Sequence, residues 1–143
     1  FFLLILFLNS NSISEEFDNF LMLKNNKVNV RFGPSLKSPI KYIYNKVNLP
    51  VKVIDKKENF RRITDHKKNS GWIHISQLKK SKSLVTTSQK ILFKKPTKYS
   101  KPIAKIDKGR LLIVKKCSDN WCIVKTEKFS GWISKNNIWG KIN

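Results

Sequence analysis

The sequence predicts an all-β protein made of two small β-barrels in tandem, and three observations carry that expectation. The stretch Ser70-Gly71-Trp72-Ile73 recurs as Ser130-Gly131-Trp132-Ile133, with the two glycines 60 residues apart. Phe60-Arg61-Arg62-Ile63 precedes the first copy where Trp121-Cys122-Ile123-Val124 precedes the second, and a polar step closed by Leu78 or Ile138 follows each. A repeat of this length is too long for a solenoid unit and suits two small domains, each near the lower limit for a self-sufficient core. The second observation is a series of short apolar or alternating runs separated by turn residues every ~8–12 positions, the pattern of small all-β domains. The third is that no stretch sustains a helical apolar period.

Taken in order, Phe1 to Leu8 are unbroken large hydrophobes, followed by the small polar run Asn9 to Ser14. So short an apolar run cannot span a bilayer, but it matches the apolar core of a secretory signal before a small-residue cleavage site. Residues 1–14 are therefore read as a signal peptide whose own start is truncated, with an uncleaved anchor as the rival reading. The mature chain then has no transmembrane span and is exported, to the periplasm or outside the cell. The first barrel is expected over residues 17–80. Within it Val28-Asn29-Val30-Arg31-Phe32 alternates as a half-buried strand must, and Gly33-Pro34-Ser35 breaks the run. Ile40 to Tyr44, Val51 to Ile54, Phe60 to Thr64 and Trp72 to Ile75 follow as strands. Lys79 to Ser83 is polar and basic and reads as a short connector. The second barrel is expected over residues 84–140, with strands at Ile91 to Phe93, Ile103 to Ile106, Leu111 to Val114, Trp121 to Val124 and Trp132 to Ser134, closed by Ile138-Trp139-Gly140.

Composition narrows the function. The chain has 143 residues and a formal net charge of +21, from 30 basic residues against 9 acidic. Only Arg31, Arg61, Arg62 and Arg110 are arginine; the other basic residues are lysine. Lysine meets phosphate as a point charge, whereas base reading favours the planar arginine fork, so sequence-specific nucleic-acid recognition is not expected. The lysine field instead suits a solvated surface or attraction toward an anionic one. Catalysis would need a nucleophile beside a base, paired carboxylates or a metal cluster. The carboxylates are scattered, His66 and His74 lie in one half, and Cys117 and Cys122 lie in the other, so neither an enzyme, nor a cofactor, nor a metal site is expected. If the strands flanking Cys-Ser-Asp-Asn-Trp-Cys form a hairpin, the two sulfurs can face each other and oxidise; two free thiols are the alternative.

Several motifs together resemble the tandem bacterial Src-homology-3-like (SH3b) proteins of the exported kind. They are Val28 to Ser35, the strand entry Leu49-Pro50-Val51, Gly71-Trp72-Ile73-His74, and, in the second half, Cys117 to Cys122 with Gly131-Trp132-Ile133 and Ile138-Trp139-Gly140. The resemblance covers about residues 18 to 140 and implies two SH3-like β-barrels. It also implies an envelope or extracellular module, since some relatives target wall hydrolases to peptidoglycan stem peptides or cross-bridges. The second half departs from the pattern in having Lys94-Lys95-Pro96 where the first has Phe32-Gly33-Pro34.

The aromatic residues divide into two groups. Trp72, Trp132, Trp121 and Phe60 are expected mainly as core, each a large ring on a short strand, and Gly71, Gly131 and Trp139 complete the structural motif. Tyr42 and Tyr44 share one strand face beside the Arg31-Phe32-Gly33-Pro34 loop, and with Arg31 and Trp72 they form the candidate ligand surface. The expected function is a non-catalytic envelope module binding peptidoglycan or a short peptide. A basic polyanion-binding protein attracted to an anionic envelope surface, and a structural adaptor docking an envelope protein or enzyme, are the alternatives.

Overall fold

The computed structural model describes residues 19–140. The expected signal segment, residues 1–14, lies outside the described residues. The first half runs β1 (Asn19–Leu23), β2 (Val28–Arg31), β3 (Ile40–Tyr44), β4 (Pro50–Lys57), β5 (Phe60–Thr64), β6 (Ser70–His74), a single 3-10 turn (Ile75–Gln77) and β7 (Leu78–Lys80). The second half repeats it as β8 (Ser83–Thr86), β9 (Lys90–Phe93), β10 (Pro102–Ile106), β11 (Leu111–Ser118), β12 (Trp121–Lys125), β13 (Ser130–Ser134) and β14 (Ile138–Trp139). The two antiparallel sheets have the orders β3-β2-β6-β5-β4-β1-β7 and β10-β9-β13-β12-β11-β8-β14, one topology used twice. The all-β, two-unit fold expected from the sequence is the fold observed.

Alternation sets the core. Val28 and Val30 of β2, Val51 and Val53 of β4, Ile63 of β5 and Ile73 of β6 point inward and form the first core. Leu92, Leu112, Val114, Cys122, Val124 and Ile133 do the same in the second. The recurring glycine explains why this motif repeats. An added Cβ at Gly71 would come within 2.4 Å of the Val30 Cγ1, and one at Gly131 within 2.8 Å of the Phe93 carbonyl oxygen, so only glycine lets β6 and β13 approach their neighbours. With Gly71 and Ile73 inward, period 2 turns Trp72 outward, and Trp132 follows the same rule. Ile73 and Ile133 are 0% exposed, whereas both tryptophans are half-buried on the outer face. This corrects the expectation that these rings fill the barrels. Trp121 is likewise half-buried, edge-on to Phe93 at 5.8 Å, while Phe60 is buried on the outer face against the His74 ring.

Two local features differ from the sequence reading. Lys79 and Lys80, read as connector, belong to β7, which pairs with β1 at the sheet edge, where lysine protects an open strand. Lys90 occupies the inward position that Val28 holds in the first half. Its ammonium, whose pKa burial lowers, donates to Ser134 Oγ at 2.9 Å, to Asn136 Oδ1 at 2.8 Å and to the Asn136 carbonyl oxygen.

The halves pack against each other through buried groups. Val85 of β8, 1% exposed, belongs to the first core, and Leu111 and Trp139 pack on it. Trp139 donates from its indole Nε1 to the Pro50 carbonyl at 3.0 Å and meets the Phe20 ring edge-on at 5.1 Å. Ser83 Oγ donates to the Asn48 carbonyl at 2.6 Å. These contacts fix the geometry of the cleft between the barrels.

Candidate functional site

The site is built from a turn that β5 and β6 enclose. Asp65, 3% exposed, caps that turn: its Oδ1 accepts the backbone N–H groups of Lys67 and Asn69, each at 2.9 Å, and its Oδ2 accepts Asn69 Nδ2 at 3.1 Å. Such a carboxylate substitutes for a strand partner where the chain reverses. The Tyr44 hydroxyl donates to Asp65 Oδ2 at 2.8 Å. Its proton is thus committed, and the Tyr42 hydroxyl, 3.1 Å away, donates to the Tyr44 oxygen. The two rings meet edge-on at 5.1 Å and pack on the first core. Burial, with the hydrogen bonds to Tyr42 and Asp65, drives the Tyr44 pKa far upward, and burial raises that of Tyr42. Both tyrosine hydroxyls therefore stay protonated at neutral pH, and their hydrogen bonds tie them rigidly to the Asp65 turn.

This braced turn is one wall of a cleft of about 880 Å³ between the barrels. Tyr44, Lys46, His66 and Lys67 line it from the first barrel; Thr87 and Lys108 line it from the second, over an apolar floor of Leu49 and Val85. Three lysines face the cleft, and its carboxylate, Asp65, is already occupied by four hydrogen bonds. Burial lowers the pKa of His66, Asp65 pulls the other way, and Lys67 and Lys46 lower it further, so the imidazole is neutral at pH 7. His66 Nδ1 is buried with no hydrogen-bond partner among the described residues. The cleft thus offers cations and a hydroxyl above an apolar base. That combination suits a short ligand carrying carboxylates and small apolar groups.

The sequence-predicted ligand residues separate onto two faces. Tyr42 and Tyr44 pair in register with Val30 and Val28 and so share the inner face, with Tyr44 reaching the cleft. Arg31 pairs in register with Trp72, and both lie on the outer face. Arg31 Nη1 donates to the carbonyls of Leu36 at 3.2 Å and Ser38 at 2.9 Å, tying down the loop after β2. Strand alternation thus divides the four candidate ligand residues, Tyr42 and Tyr44 on the inner face and Arg31 and Trp72 on the outer. Sequence reasoning missed Asp65, His66, Lys46, Thr87 and Lys108. The Asp65-to-Asn69 turn was visible as a turn, but no local pattern shows two barrels meeting. Cys117 and Cys122 are directly opposed on β11 and β12 and form a disulfide at the hairpin end, a place outside the cleft lining.

A family model described as a bacterial SH3 domain matches residues 24–80 and again residues 88–140. The chain belongs to the bacterial SH3 domain family. Both matches begin after the opening strands, β1 and β8, which complete each bacterial SH3 domain by pairing with β4 and β11. Among solved structures, NlpC2 from Trichomonas vaginalis is similar at 13% identity and a TM-score of 0.40, covering 85% of this chain and 48% of that one. NlpC1 from the same organism aligns at 12% identity and a TM-score of 0.40, covering 85% and 45%. An NlpC/P60 family protein from Bacillus cereus aligns at 12% identity and a TM-score of 0.38, covering 85% and 57%. The chain spans about half the length of these structures. No curated protein matches it.

Proposed function

We propose that this pair of bacterial SH3 domains is a non-catalytic binding module of the cell envelope that takes a short peptide, of the kind peptidoglycan carries, in the cleft between the barrels. The observation that supports the reading best is the braced, lysine-lined cleft between the barrels. Lysines at both walls meet peptide carboxylates, and Leu49 and Val85 accept small apolar side chains. Export is part of the proposal: the Phe1 to Leu8 run reads as a secretory signal, and a disulfide at Cys117 and Cys122 suits an oxidising compartment. Among the described residues, no helix is long and apolar enough to cross a membrane.

The test is co-sedimentation with purified wall sacculi across a salt series, comparing the chain with a Lys67→Ser/Lys108→Ser variant. Tyr42 and Tyr44 are unsuitable probes because they brace the fold. Cleft binding persists in part at high salt and drops in the variant. A second reading, polyanion binding, is favoured by the net charge of +21; it expects binding that collapses with salt whether or not those two lysines are present.

A further inference from the structure

The outer faces of the two barrels share one scaffold and differ in charge. Trp72 on β6 has Arg31 of β2 and Arg62 of β5 as its cross-strand neighbours. Trp132 on β13 has Phe93 of β9 and Ile123 of β12 at the same register positions. Lys41 packs its Cδ near Gly71, where Ile103 places its Cδ1 near Gly131. Two arginines therefore flank the first tryptophan and two apolar side chains the second, and the residue that approaches the neighbouring glycine is a lysine in the first barrel and an isoleucine in the second. Two of the four arginines in a chain otherwise rich in lysine flank this one ring.

Arg31, Phe32, Lys41, Arg62 and Trp72 line a shallow cavity of about 270 Å³ with Ser70 and Gly71 at its base. Lys41 Nζ donates to the Ser70 carbonyl at 2.8 Å and lies 5.7 Å from the centre of the Phe32 ring, which is 64% exposed. Arg31 uses Nη1 on its own loop, which holds the guanidinium in place. Arg62 and the Trp72 indole N–H have no hydrogen-bond partner among the described residues. Asp55, opposite Arg62 in register, is turned to its neighbour's amide, its Oδ1 accepting Lys56 N–H. A cluster of cations with no carboxylate paired to it, beside an exposed ring and a half-exposed one, has the chemistry of an oxyanion seat with a stacking platform.

We propose that this face is a second binding site, independent of the cleft, for an acidic saccharide: a sugar ring resting on Trp72 and Phe32 while its phosphate or carboxylate is held by Arg62, Arg31 and Lys41. The second barrel, with Phe93, Ile103 and Ile123, does not take this ligand.

The test follows the four tryptophan indole N–H signals of the 15N-labelled chain during titration with glucose 6-phosphate, glucuronate, glucose and inorganic phosphate. An acidic sugar moves the Trp72 signal and leaves Trp132 in place, and glucose and inorganic phosphate each bind more weakly. A response to glucose 6-phosphate alone assigns the seat to phosphate, one to glucuronate alone to carboxylate, and both support the site. Arg62→Gln, at an exposed position without hydrogen bonds, weakens binding at least about tenfold, as loss of a charge-assisted contact should. Lys105→Gln/Lys115→Gln, which removes two charges elsewhere, changes affinity less than about twofold. Unchanged affinity in Arg62→Gln, equal weakening in the lysine control, equal movement of Trp132, or inorganic phosphate binding as tightly as the sugar phosphate would each overturn the proposal.

Discussion

Replacing Trp139 by alanine tests whether the two barrels are one cooperative unit. The ring is half-buried, and full burial of such a side chain is worth ~3–5 kcal/mol on truncation, so its partial burial contributes about 2 kcal/mol. The edge-on contact with Phe20 adds about 1 kcal/mol. The Pro50 carbonyl, on a buried residue, loses its indole donor for about 1 kcal/mol more. Trp139→Ala should therefore lose about 4 kcal/mol, a large fraction of the ~5–15 kcal/mol that holds a typical domain. The loss is shared, because the ring sits on β14 of the second sheet and packs on the core of the first. Urea unfolding followed by circular dichroism and by tryptophan fluorescence gives the assay. The parent chain should show one transition by both probes, moved as a whole in the variant. Two separate transitions in the parent chain, or a loss below about 1 kcal/mol, would refute the coupling.

Three further outcomes follow from the same contacts. Gly131→Ala places a Cβ 2.8 Å from the Phe93 carbonyl and 2.9 Å from Leu92 Cγ, and should cost about 2–3 kcal/mol in urea unfolding, since the backbone cannot yield as a side-chain end can. Asp65→Ala strips four hydrogen bonds from a buried turn and leaves the Tyr44 hydroxyl without an acceptor; a loss of about 3 kcal/mol is expected, with broadened amide signals over residues 65–69. The raised Tyr44 pKa means that this phenol contributes stability fully below the unfolded-state value of 10.0, and that the contribution is lost as pH climbs above it, where the unfolded chain releases a proton that the folded chain keeps. Stability measured between about pH 8 and about pH 11 should therefore fall less steeply in Tyr44→Phe than in the parent chain.

Which parts of this structure were legible depended on how local their causes are. The Gly-Trp-Ile repeat was legible because each glycine is required by a close strand approach, and that requirement recurs wherever the topology recurs. Strands such as Val28–Arg31 were legible from alternation alone. The outward turn of Trp72 and Trp132 was misread because size was taken as a sign of burial; parity from Ile73 and Ile133, the better core residues, points the other way. That Tyr42 and Tyr44 share a face could be read from spacing. Their partner could not, because Asp65 is 21 residues from Tyr44 and arrives only when the sheet curls. The cleft was hidden for the same reason at larger scale: Lys67 and Lys108 sit in separate repeats and meet only through the docking that Val85 and Trp139 enforce.

The most direct measurement is an amide chemical-shift titration of the chain with a synthetic peptidoglycan stem peptide, at low and at high salt. Shifts at Tyr44, Lys67, Thr87 and Lys108 that persist at high salt, and that vanish in Lys67→Ser/Lys108→Ser, are the expected result. No shift at the cleft, or shifts spread over the lysine surface that disappear as salt rises, would contradict a peptide site between the barrels.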